Sequence, residues 1–161
     1  MTTTKQAELK SILINAESID LKLSIDDAVI IYCESKYALD KLITNPYTDW
    51  INVWLEHIVR LIDTVSPKIA AALSNPSQDH DLRPEDVESL SLEIKLIVPA
   101  YTAYLLMGLL HQRLADPTCE VKPYVEHYIE TLRTIITLIS PAATDLMGDL
   151  DFSEFQSQQG L

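Results

Sequence analysis

The sequence predicts an all-α protein, a single-domain bundle of about five main helices with short helices started at Ser-Pro. Three observations point there. Apolar residues recur every three or four positions through most of the chain. There are only 3 Gly in 161 residues, too few for the tight turns and bulges of a strand-rich fold. Proline falls where helices begin: Ser66-Pro67, Arg83-Pro84, Lys122-Pro123 and Ser140-Pro141.

A first helix is expected from the Thr2, Thr3 and Thr4 caps, with Leu9, Ile12, Leu13, Ala16, Ile19 and Leu23 on one face. Ser24 caps a second helix, with Asp26 and Asp27 at its positive end and Ala28, Ile31, Tyr32, Ala38, Leu39 and Leu42 along its stripe. Asn45-Pro46 ends it. Thr48 opens a third helix striped by Ile51, Trp54, Ile58, Leu61, Ile62 and Val65. Ser66-Pro67 restarts the chain as a short helix, and residues 74–86 form a loop. A fourth helix is expected from Pro84. Its charge-free stretch, Leu96 to Leu110, forms the buried centre and kinks at Pro99. Fifteen charge-free residues fall short of the roughly 20 that cross a bilayer. Asp116-Pro117 breaks the chain, and Pro123 opens a fifth helix striped by Val125, Ile129, Leu132, Ile136 and Ile139. The bundle occupies residues 1–148, and an acidic C-terminal tail residues 149–161.

Residues 50–73 and 124–147 resemble one another. Both are a striped helix, then Ser-Pro, then a short Ala-containing helix. Glu56/Glu130, Ile62/Ile136, Ser66/Ser140 and Pro67/Pro141 are identical, and Trp50/Tyr124 and Trp54/Tyr128 are both aromatic. Two similar corners are therefore expected.

The net charge of −12 weighs against nucleic acid and anionic membranes as partners, since those are held by clustered Lys and Arg. It fits a solvated acidic surface or a basic protein partner. Cys33 and Cys119 make no disulfide framework, and the polar N-terminus MTTTKQAELK shows no secretory signal. Reduced thiols in a cytoplasmic protein are expected.

No constellation carries chemistry. His57, His80, His111 and His127 lack the i, i+3 or i, i+4 ligand spacing of helical metal sites. Glu56-His57 and Glu126-His127 are adjacent pairs that point about 100° apart. Glu126 and Glu130 share a face with Lys122 and Arg133 nearby, which fits ordinary ion pairs. No phosphate loop or nucleophile elbow occurs, and no cofactor or metal is called for. Residues 145–154 resemble the end of an EF-hand calcium loop, with Asp145, Gly148, Leu150, Asp151 and Glu154 in register. Ala143 and Met147 occupy ligand positions and cannot ligate, so no calcium site is expected.

The functional expectation is a small acidic helical protein that acts by binding another protein as an adaptor, regulatory or assembly factor. The surface would be a helix face, a self-associating face, or the tail, where Leu150, Phe152 and Phe155 alternate with acids. The alternative is a ligand- or metal-binding protein, or an enzyme, with a site inside the bundle. Trp50, Trp54, Tyr101, Tyr104, Tyr124 and Tyr128 would line it, with His57, His111 or His127. A third reading is an acidic mimic that occupies a nucleic-acid-binding partner.

Overall fold

The computed structural model describes residues 2–41 and 48–148. In chain order the elements are α1 (Thr2–Asn15), β1 (Ile19–Ser24), α2 (Ile25–Asp40), α3 (Thr48–Val65), α4 (Pro67–Ser74), α5 (Pro84–Glu88), a 3-10 turn (Ser89–Ser91), β2 (Glu93–Val98), α6 (Ala100–Ala115), α7 (Lys122–Ile139) and α8 (Pro141–Gly148). The chain is mostly helical, as its periodicity implies. The tail and the Asn45-Pro46 stop lie outside the described residues.

Two segments depart from the helical reading. The first helix ends at Asn15, and residues 19–24 form a strand. The first part of the expected long fourth helix is instead a five-residue helix, a 3-10 turn and a second strand, and the rest is helical from Ala100 as α6. The strands pair antiparallel, from Ile19 opposite Val98 to Ser24 opposite Glu93. Ile19, Leu21, Leu23, Ile94, Leu96 and Val98 are buried, and the alternate residues face out. This two-residue period marks a half-buried strand. Pro99 does not kink a helix. It caps α6, with φ −58° and ψ 140°, and its ring disfavours helical backbone at Val98.

Helix α6 is the centre. Every residue from Ala100 to Leu110 is buried. Helices α1, α2, α3 and α7 pack against it. A helix without a polar face needs cover on all sides, and these four helices provide it.

The structure extends the resemblance seen in sequence. Elements β1, α2, α3 and α4 correspond in order and length to β2, α6, α7 and α8, each 74 or 75 residues later. Ser24 and Pro99 cap α2 and α6 in nearly the same extended conformation. Ser66 (φ −142°, ψ 87°) and Ser140 (φ −147°, ψ 94°) turn the two corners alike, each donating its N–H to the carbonyl four residues back. The strand register is unchanged when the halves are exchanged: Ile19 opposite Val98 becomes Ile94 opposite Leu23, and Leu21 opposite Leu96 maps onto itself. The two strands thus pair about a local two-fold at Leu21 and Leu96. The end caps of α2 and α6, Lys41 and Asp116, are joined by an ion pair of 2.9 Å.

If this ribbon anchors the halves, Leu96→Ala should lower stability by about 2–5 kcal/mol in urea unfolding, because Leu96 is fully buried at the centre. Leu138→Asp, at a position 80% exposed, should change stability by less than about 0.5 kcal/mol.

Candidate functional site

Helix α3 carries two adjoining stripes. Ile51, Leu55, Ile58 and Ile62 point into the core. Beside them Asp49, Trp50, Val53, Trp54, His57 and Arg60 line a groove of about 830 Å³, closed on its far side by Ile97, Pro99 and Thr102. The i, i+3, i+4 spacing of Trp50, Val53, Trp54 and His57 puts them on one helical face. Trp50, Val53 and Ile97 are 45%, 63% and 59% exposed, three large apolar residues gathered along one groove.

Trp50 is held in place. Its indole Nε1–H donates to Thr102 Oγ1 at 2.5 Å, and its ring meets Tyr101 edge-on at 5.5 Å. Tyr104 stacks on Tyr101 at 6.1 Å, and the Lys10 ammonium lies 5.7 Å from the Tyr101 ring centre. Trp54 is nearly buried, and among the described residues its Nε1–H has no hydrogen-bond partner. An indole N–H left unpaired in a protein interior is uncommon and costly.

Of the six aromatics singled out in sequence, Trp50, Trp54, Tyr101 and Tyr104 gather here. Tyr124 is exposed on α7, and Tyr128 is buried, donating its hydroxyl to Asp27 at 2.5 Å. Burial first, and then Asp27, pushes the Tyr128 phenol well above its ordinary range. The tail residues Leu150, Phe152 and Phe155 lie outside the described residues. Val53, Ile97 and Thr102 carry no signal in sequence, because the pairing of β2 decides which side of it is covered.

The histidines do not converge. His57 borders the groove, while His127 is exposed with its ring 5.7 Å from that of Tyr128. His111 is half-buried on α6, and burial, followed by Arg133, pushes its pKa down. His80 Nε2 lies 2.8 Å from the Asn75 carbonyl in the loop. Among the described residues, no three His, Cys, Asp or Glu side chains stand close enough to hold a metal ion. Glu126 and Glu130 are both exposed. Cys33 and Cys119 are free thiols. No helix among the described residues is long and apolar enough to cross a membrane.

Two other features are built differently. At the joined ends of α2 and α6, buried Arg113 pairs with Glu34, donates to Thr118 Oγ1 at 2.9 Å and lies 4.0 Å over the Tyr37 ring. Asp116 accepts from the Thr118 N–H and from Lys41, each at 2.9 Å, and these bonds hold its carboxyl well below the usual range. Each charge is answered within the cluster, so it works as a clasp between the halves and leaves only a small cavity of about 190 Å³. A second groove, of about 690 Å³, runs between α2 and α4 and is lined by Val29, Tyr32, Cys33, Ile69, Leu73 and Leu90. Burial, and then Glu34, pushes the Cys33 thiol up, which keeps it protonated and a poor nucleophile.

The clasp and the α3 groove should separate by mutation. Glu34→Ala leaves the Arg113 guanidinium buried without its main partner. It should cost about 3 kcal/mol in denaturant unfolding, while the fluorescence of Trp50 and Trp54 in the folded protein stays as in the native chain.

Compared with known family models, characterised proteins and solved structures, the chain matches none.

Proposed function

We propose that the protein acts by binding another protein through the groove between α3 and β2. The observation that carries this reading is the difference between the two halves. At the corresponding sequence positions of the other half, Tyr124, His127 and Thr131 of α7 stand for Trp50, Val53 and His57, and Lys22 of β1 stands for Ile97. There the aromatic hydroxyl of Tyr128 is satisfied by Asp27, and here the indole of its counterpart Trp54 is not. The fold therefore does not require an apolar face at this position. Exposed aromatic and aliphatic side chains beside one another, one of them held rigid by a hydrogen bond, are the makings of an interface centre.

The charge of −12 supports a protein partner over nucleic acid or an anionic membrane. The two unpaired thiols fit a reducing compartment such as the cytoplasm. A second reading is an apolar small molecule held between α2 and α4, favoured by the aliphatic lining of that groove.

A photo-crosslinking residue at position 53, expressed in the native host, should give an adduct of one defined added protein mass. The same residue at position 138 should give none. Equal adducts at both positions would contradict the proposal. So would no adduct at 53 together with a small molecule that leaves only on denaturation.

A further inference from the structure

We infer that the partner enters as an extended strand added to the free edge of β2, and that charged residues on the ribbon set its register. This rests on the groove being a protein-binding surface and names the chemistry of what binds there.

The ribbon supplies the backbone half of the argument. Ile25 donates its N–H to the Leu92 carbonyl at 2.8 Å. In an antiparallel pair such a bond marks a closely bonded position, and these positions alternate. The bonded pairs are therefore Leu23/Ile94, Leu21/Leu96 and Ile19/Val98. The N–H and C=O groups of Glu93, Lys95 and Ile97 point away from β1. Among the described residues the sheet has only these two strands, so no third strand uses those groups. A row of unpaired backbone groups beside an apolar groove suits strand addition, with main-chain bonds giving affinity and side chains giving selection.

The side chains supply the other half. On the outer face Lys22 stands directly opposite Lys95, both exposed. Like charges in that position repel. Among the described residues neither has a carboxylate within ion-pair distance. The same face carries Ile97 beside Asp20 at one end and Glu93 beside Ser24 at the other. Along the β2 edge an incoming strand thus reads Ile97, Lys95, Glu93: apolar, basic, acidic. Its complement is an apolar residue opposite Ile97, an acid opposite Lys95 and a base opposite Glu93. The two positions between face the buried side, where Leu96 and Ile94 lie, and take apolar residues. Asp49, His57 and Arg60 of α3 line the same groove as Ile97. A second copy adding its own β2 symmetrically about Lys95 would line up four lysines, so the pattern disfavours self-association by this edge and favours a different chain.

The test uses two synthetic peptides of equal composition and charge, SVLDVKV and SVLKVDV, added to the full-length protein. Trp50 and Trp54 are the chain's 2 tryptophans, and both line the groove, so intrinsic fluorescence reports binding directly. The first peptide should bind more tightly by about fivefold or more, since two cross-strand pairs change from attractive to repulsive in the second. The double variant Glu93→Lys with Lys95→Glu, on exposed positions, should reverse the preference. Equal binding of both peptides to the native protein overturns the charge register while leaving the groove as an apolar docking surface. Binding of neither, with the crosslink at position 53 intact, overturns strand addition.

Discussion

The stretch Ala100–Leu110 has no face that tolerates water, and the rest of the fold answers to that constraint. A helix of this kind is stable only when apolar surface covers it all round. Helix α2 packs along it, α7 returns against it after Asp116-Pro117, and α1 and α3 complete the cover. The inner side of the ribbon adds its own buried row to the same core, and its last pair, Ile19 opposite Val98, lies next to the start of α6. The Arg113–Glu34–Asp116 clasp then ties the far ends of α2 and α6. Buried charges of this kind add little net stability over apolar packing, but they penalise any alternative register, because a displaced Arg113 would be left unpaired.

The two halves show what the architecture demands and what it leaves open. Positions that meet the shared core stay apolar in both: Ile19 and Ile94, Leu21 and Leu96, Ala28 and Ala103, Leu39 and Leu114. The central helix of the second half is buried on every side from Ala100 to Leu110, whereas α2 keeps a polar face with Asp26, Cys33, Lys36 and Asp40. A chemical difference between the halves lies at the aromatic pairs of α3 and α7. One half satisfies its aromatic with a carboxylate, Tyr128 to Asp27. The other holds Trp50 on Thr102 and leaves Trp54 Nε1 unanswered. Packing alone asks for neither the exposed Val53 nor the exposed Ile97.

Much of this was legible in the sequence and some was not, for definite physical reasons. The helical stripes, the Ser24 cap and both Ser-Pro corners follow from local rules, and local rules suffice for them. The strand at residues 19–24 resembles helix in sequence because Ile19 and Leu23, four apart, fit a helical face as well as one face of a strand. Leu21 is what distinguishes them, since it breaks the helical stripe and completes the alternation. At the other end, the residue before a proline is steered away from helix, so Val98-Pro99 signals an extended segment leading into a helix start more directly than a kink. The aromatic set was visible as a list, but its division into groove, core and surface depends on tertiary pairing. The groove's second wall comes from β2, which begins 28 residues after the end of α3, and no periodicity within either segment reveals that they face each other.

The most direct measurement is backbone amide exchange, residue by residue, on the protein alone and on the complex isolated through the adduct at position 53. The account predicts that binding slows exchange at Lys95 and Ile97 and along residues 50–57. Slowing confined to the groove between α2 and α4, around Leu73 and Leu90, with the β2 amides unchanged, would contradict it.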